Sequence, residues 1–473
     1  MSSRTKRLIF KLVVILVVIG GIAGFLAWYH FFREVKTSFD TAEKTFKYGS
    51  IGNEQTDGIP YWIWLVLPRI FPEKLPGSGG YASLGLVWEE GNEMPVGLSK
   101  KTIGFDRVAL NCAFCHTATY RADPKDKPVF VPAGPSHQFD PQSYVRFLYA
   151  CASDPRFNAD TIMREVDYAY KLSWIEKSIY RYILIPQTRD ALLKQKAQFA
   201  WMDSRPNWGR GRIDPFNPIK FGILKQPVDA TIGNADMVPI WNQKARAGMS
   251  LHWDGLNISE DEVVLSSAIG DGATRKYMER DNLKAMQDFI TNVPSPKYPF
   301  AVNPDLAAKG SVTYARDCAS CHSAGGANTG KVLPVETTGT DRRRTDMWTQ
   351  SAADAYNNYD GGYWGFKNFR KAGGYVSVLL DGVWLRAPYL HNGSVPTLAD
   401  LLEAPDKRPK LFWRGYDVYD QEKIGFIAMG PEAEMRGSRY DTADAGNSNA
   451  GHLWGTELSA DEKKALIEFL KTL

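Results

Sequence analysis

The chain has 473 residues, 44% of them hydrophobic and 23% charged, with a net charge of +4. That length exceeds one ordinary core, so two or three units are expected, and the composition leaves no long disordered tail. The charge is too mild to argue for nucleic acid as a partner.

The N-terminus comes first. Arg4, Lys6, Arg7 and Lys11 form a basic flank over residues 1–11. Residues 12–29 then carry no charge. At about 1.5 Å per residue these 18 positions reach roughly 27 Å, enough to cross a bilayer core. Trp28 and Tyr29 stand at the far end, where interfacial aromatics belong. A retained anchor over residues 12–32 is expected, with the basic end cytoplasmic and the rest beyond the membrane. A cleaved signal peptide, using Gly21-Ile-Ala23, is the rival.

Residues 33–100 are Gly- and Pro-rich and read as an irregular segment. Residues 141–202 read as mostly helical, and residues 203–256 as loop. Ser259 and Glu262 fit a capping box. The stretch "NVPSPKYPFAVNP" (292–304), with four prolines, separates a unit at 101–292 from one at 304–473. Asn303 and Pro304 suit the start of a helix that runs into Cys318. Ser459 and Glu462 form a second capping box, and Leu466, Phe469, Leu470 and Leu473 share one helical face. The fold class expected is mainly α: two modules with long irregular loops, plus an N-terminal transmembrane helix.

One five-residue pattern occurs twice, as Cys112-Ala-Phe-Cys115-His116 and Cys318-Ala-Ser-Cys321-His322. Two cysteines three apart can each add to a vinyl group of one porphyrin, and the adjacent histidine then faces the iron. Zinc is the alternative. A zinc tetrahedron shared by both pairs leaves the two adjacent histidines without a role. The pattern therefore predicts two covalently attached c-type haems, with His116 and His322 as proximal iron ligands. The 14 Trp suit walls around a large flat cofactor, and equally an aromatic-rich core. Cys151 is left without a partner and is expected to be a buried thiol.

Function then turns on the sixth position of each iron: a strong protein ligand makes an electron carrier, an open position binds O2 or peroxide. His452 is the expected ligand of iron two, because it precedes the terminal helix. His391 is an alternative ligand, or a partner for a haem propionate, and Met435 is a third option. His137 and His252 are expected to be structural. Arg342, Arg343 and Arg344 can dock an acidic partner, hold propionates, or be a solvated run.

The strings "RAPYLHNGSVPTLADLL" (386–402), "LDGVW" (380–384), "GHLWGTELSADEKKALIEFLKTL" (451–473), "NCAFCHTATYR" and "GRIDPFNPIK" resemble the rubber oxygenase A-like dihaem cytochromes. These are relatives of dihaem cytochrome c peroxidases and of the dihaem enzyme that matures methylamine dehydrogenase. The resemblance implies a bis-His second haem, supporting His322 with His452. It implies a first haem whose far face is accessible and lined by a Phe, for which Phe216 is the candidate. It also implies a Trp between the haems, for which Trp201 is the candidate. The anchor is a departure from the rubber-cleaving members. It favours a substrate that reaches the inner membrane: O2, peroxide, a lipid-derived molecule or a redox partner protein. Asp214 is a candidate proton shuttle, though a loop Asp is more often a turn former. A pure dihaem carrier between a membrane donor and a soluble cytochrome is the rival class, with a haem-bearing assembly subunit as a third.

Overall fold

A computed structural model describes residues 2–473. The charge-free run lies within one helix, Ser3–Phe31, capped by the Ser2 hydroxyl, which accepts from the Thr5 N–H. None of its side chains is buried. Only Phe32 and Arg33 separate it from a sheet, because Glu34–Val35 already pairs with Leu98–Ile103, Glu34 opposite Ile103.

That sheet is antiparallel and four-stranded, ordered Glu34–Val35, Leu98–Ile103, Phe105–Leu110, Ile59–Pro60. Gly104 makes its central turn at φ 75. A Cβ there would lie 2.4 Å from the His30 carbonyl oxygen, so the glycine lets the hairpin tip touch the end of the long helix. The irregular segment expected over residues 33–100 is thereby corrected. It contributes two outer strands, half of a central strand, and the helices Ala42–Tyr48 and Tyr61–Ile70. The outer strands are two residues long, too short for a period. In Leu98–Ile103 the buried position 101 is a lysine, paired with Glu34 and Glu279, which hides the apolar alternation.

Residues 141–202 form the helices Pro141–Ser153, Ala159–Ala169, Trp174–Ile179 and Ile185–Gln198, the last two joined by a π turn at Tyr180–Leu184. The Ser259 hydroxyl accepts from the Glu262 N–H, but the Glu262 carboxylate does not return the bond. It accepts instead from Asn257, from the Lys367 N–H and from Asn368, so Glu262 joins two loops rather than closing a capping box. The reciprocal box does form at Ser459 and Glu462.

Asn303 caps Pro304–Asp317, which crosses the terminal helix Ala460–Leu470. Gly310 permits the crossing: a Cβ there would lie 1.9 Å from the Ala465 carbonyl oxygen. Helices outnumber strands, and beyond the four-stranded sheet the strands form only two-stranded pairings. Residues 293–303 hold neither helix nor strand. One buried cluster nevertheless runs from Phe46 to Leu470, so both sides of this link share a core. Among the ion pairs that bridge it, Arg414 with Asp236 and Arg344 with Asp254 (3.0 Å) are the most buried, all four side chains nearly inaccessible.

Gly310→Ala is expected to cost about 1–3 kcal/mol through overpacking at the crossing. A lower thermal midpoint of the full chain checks this; an unchanged midpoint would mean that the terminal helix can retreat.

Candidate functional site

Asn111 starts the first pentapeptide. Its side-chain oxygen accepts from the Ala113 N–H (3.0 Å), capping a single 3-10 turn. Its amide nitrogen donates to the carbonyls of Lys47 (3.3 Å) and Gly49 (3.0 Å), fixing that turn against the neighbouring helix. Cys112, Cys115 and His116 are thereby held on one wall of an internal cavity of about 740 Å³. The helix Pro304–Asp317 delivers the second pentapeptide as one more helical turn, Ala319–His322. Cys318, Cys321 and His322 line the same cavity. Folded cores hold few voids larger than a water molecule, so this space is a built pocket, of the size cofactor sites have.

Each adjacent histidine is oriented in the same way. The Nδ1–H of His116 donates to the Val238 carbonyl (2.8 Å), and that of His322 to the Val378 carbonyl (2.7 Å). Each Nε2 is then left to act as the ligating nitrogen. Burial pulls His116 down to about 4, a pull the bond to Val238 only partly opposes, and burial lowers His322 also. Both rings are thus neutral, the form that binds a metal.

The surroundings of the two rings within this cavity differ. His452 faces His322 with ring centroids 6.2 Å apart and planes at 39°. Its backbone is left-handed (φ 49), and its N–H donates to the Thr338 carbonyl (2.8 Å). Arg408, 2% exposed, clamps this loop. Its guanidinium donates to the carbonyls of Leu401, Glu403, Asn449, Gly451 and His452, at 2.6–3.2 Å. No imidazole is paired with His116 in this way among the described residues. Phe216 and His252 line the cavity instead, their rings edge to face at 5.3 Å. Burial pulls His252 down to about 3, with Arg344 and then His116 adding to the shift. Its Nε2 is buried without a protein partner. His252, expected to be structural, thus lines the cavity, whereas His137 stacks on Phe426 (3.6 Å) outside the cavity lining.

Other expectations change too. Trp201 does not line the cavity. Phe199, which precedes the 3-10 turn Ala200–Ser204, and Met202 within it are three apart and share the inward face. Trp201 falls off that face, against Phe221 (5.4 Å) and under the Arg205 guanidinium (4.8 Å). Met435 is 68% exposed and is no ligand. His391 lines the cavity but stacks on Tyr375 (3.9 Å) and does not face His322; its Nε2 is unpartnered. Asp214 accepts from the Asn217 and Gly233 N–H groups, so it builds a turn. The arginine run splits. Arg342 is exposed and paired with Asp346 (2.6 Å), and Arg343 is half exposed beside Asp341. Arg344 turns inward to Asp254, its guanidinium 5.0 Å from the Phe216 ring centre. Cys151 is fully buried.

Trp253, which sequence reasoning did not single out, ties the two pockets together. Its indole N–H donates to the Asp236 carbonyl (2.7 Å), two residues before Val238. Its own carbonyl accepts from the Val376 N–H (2.9 Å), two residues before Val378. One residue thus spans the segments that orient His116 and His322. A signal was present in the sequence: His252-Trp253-Asp254-Gly255 echoes His452-Leu453-Trp454-Gly455, and both histidines adopt positive φ.

Residues 374–414 match the family described as RoxA-like, cytochrome c-like, and residues 307–383 match the cytochrome c family. The region 307–414 is thus similar to RoxA-like, cytochrome c-like domains. Two proteins of Sinorhizobium fredii (strain NBRC 101917 / NGR234) are similar to it. Uncharacterized protein y4iJ is 47% identical over 109 residues, 21% of this chain and 18% of that protein. Uncharacterized protein y4iM is 29% identical over 319 residues, 57% of this chain and 72% of that protein. The chain thus spans less than a fifth of the first relative and about seven tenths of the second.

Covalently bound c-type haem follows from the cytochrome families, and the residues fit it. A metal about 2 Å from each of two imidazole nitrogens needs ring centroids roughly 6 Å apart, as His322 and His452 have them. The unpartnered polar atoms His391 Nε2, Arg344 Nε and Arg386 Nε suit a group with anionic arms. Arg386 and Arg246 share the Asp381 carboxylate (2.7 and 2.5 Å), leaving one positive charge over.

Arg408→Lys tests the clamp. An ammonium cannot reach five carbonyls, and the loss of several buried bonds is expected to cost about 1–3 kcal/mol. Release of His452 would appear as partial conversion of a low-spin haem signal to high spin; an unchanged spectrum would show that the loop holds itself.

Proposed function

We propose that this cytochrome is a dihaem oxidoreductase, held in the bacterial inner membrane by Ser3–Phe31 with its body in the periplasm. In this reading Cys112, Cys115 and His116 hold haem one, and Cys318, Cys321, His322 and His452 hold haem two. The observation that carries it is the asymmetry opposite the two proximal rings: an imidazole at 6.2 Å from His322, and a phenyl ring with an unpartnered histidine on the side of His116. Bound haem supplies one-electron chemistry at iron and, where a position is open, a place for O2 or peroxide.

The chain's own residues divide the remaining work. Val238 and Val378 fix the proximal rings. Phe216 walls the open side with apolar surface and keeps water out. The Nε2 of His252 stands next to Phe216 as a neutral nitrogen that can accept a hydrogen bond or a proton from peroxide in the cavity. Arg344, neutralised by Asp254, adds a fixed dipole there. Trp253 gives electrons a short covalent and hydrogen-bonded route between the pockets. A polar nitrogen beside an apolar ring supports peroxide or O2 as the reactant, with a redox partner protein supplying electrons. The partner is a soluble cytochrome or a membrane donor.

One observation favours the second reading, a pure electron carrier: His252 lies near enough to His116 to be influenced by it. If His252 closes haem one, both irons are six-coordinate. The resting spectrum separates the two. The enzyme reading expects one high-spin and one low-spin haem and one CO bound per chain; two low-spin haems inert to CO would overturn it. His252→Leu is expected to lower peroxide turnover about 100-fold, the usual scale for a lost proton-transfer group, while CO binding persists. In the carrier reading the same change creates a CO site that was absent. Trp253→Phe, which removes the bond to Asp236, is expected to slow electron equilibration between the haems after flash reduction; an unchanged rate would place the route elsewhere.

A further inference from the structure

Outside the anchor helix, large aromatic side chains are strongly exposed at few places. Phe32 is 69% exposed, and the others include Tyr168 (79%), Tyr170 (51%), Trp174 (77%) and Tyr182 (73%). The last four fall within one stretch of 15 residues. An exposed single aromatic needs no explanation, but a cluster of four marks a contact surface.

Their position says what they contact. Phe32 and Arg33 are all that joins Ser3–Phe31 to the sheet, and the Gly104 N–H donates to the Arg33 carbonyl (2.7 Å). The body therefore begins where the helix ends and has no slack to swing away. From Gly104 the strand Phe105–Leu110 runs to Arg107, about 10 Å along at the usual rise. Pro60 pairs with Arg107, and the helix starting at Tyr61 carries Trp62. Tyr170 stacks flat on Trp62, centroids 4.5 Å apart and planes at 14°. The buried Tyr180 feels both Asp106 and Arg107, and its π turn leaves Tyr182 outside. The aromatic cluster is thus continuous, through the hairpin, with the exit of the anchor.

We propose that Tyr168, Tyr170, Trp174 and Tyr182 lie in the headgroup layer of the same bilayer that Ser3–Phe31 crosses, so that the body rests on the membrane rather than standing off it. This rests on the membrane-anchor reading above. Tyr and Trp are the side chains that favour this layer, with an apolar body and a polar tip. Ser3–Phe31 is about 44 Å long at 1.5 Å per residue, the thickness of a bilayer with its headgroups, so its last turn emerges at that level. Charge is not the attraction, because residues 159–184 hold four acidic and four basic side chains. Lys177 and Arg181 are paired with Asp167 and Asp160. Contact is therefore expected to be insensitive to salt, unlike that of a polybasic patch.

The test uses the full, haem-loaded chain in lipid nanodiscs containing a phospholipid with a photoactivatable diazirine near its glycerol. Adducts are mapped by mass spectrometry. They are expected in Ser3–Phe31 and in the peptide covering residues 168–182, with yields unchanged at about 0.5 M NaCl. The variant Y168S/W174S/Y182S is expected to lose about fivefold of the second yield while keeping the first and the visible spectrum. Adducts confined to Ser3–Phe31 would overturn the proposal and keep the anchor. Adducts in residues 168–182 alone would overturn the anchor reading, and with it the proposal that rests on it. A patch that links chemically to a second copy and not to lipid would also overturn the proposal.

Discussion

Two hydrogen bonds from imidazole to peptide carbonyl set the geometry on which everything else depends. His116 donates to Val238, and His322 donates to Val378. A histidine beside two cysteines has a free ring; only a carbonyl at the right height fixes its tautomer and its plane. The long loops of this cytochrome are arranged to hold those two carbonyls. Residues 235–238 are held by strand pairing with Arg212–Ile213 and by the Met237 N–H bond to Gly211, and residues 374–378 by pairing with Val332–Pro334. These are short, irregular elements, and their positions are fixed by buried charge as much as by packing.

That buried charge is costly by itself. Arg344 with Asp254 and Arg414 with Asp236 lie where water does not reach, and such pairs seldom add net stability over apolar contacts. Their effect is on placement. Each pair joins residues from opposite sides of the proline-rich link and fixes one relative position of the two halves. Arg408 does the same within one half, joining the loop of His452 to the carbonyls of Leu401 and Glu403. In a fold with few long helices around the cavity, guanidinium groups act as the fasteners.

Much of the site was legible in the sequence because covalent chemistry imposes spacing. Cys112, Cys115 and His116 must be adjacent in the chain, so the pattern announces itself. His452 could be placed because it precedes a well-signalled helix. Caps at Asn303 and Ser459 depend on neighbours three residues away, and local rules find them. Trp201 and Trp253 show where such rules stop. Both are loop tryptophans, and only the long-range pairing of residues 236 and 376 decides which one lies between the pockets. Glu262 fitted a capping box yet serves two distant loops, because tertiary partners offered its carboxylate more bonds than its own helix did. The sheet at residues 34–110 was hidden by a buried lysine whose partners, Glu34 and Glu279, come from far along the chain.

Trp253 has a consequence for how this cytochrome can be adjusted. It sits two peptide units from each of the carbonyls that orient the proximal rings. A substitution that shifts it disturbs both carbonyl-bearing segments, so neither His116 nor His322 is reoriented alone. The two rings are yoked, and separate adjustment has to come from elsewhere, at the Phe216–His252 face or in the loop held by Arg408.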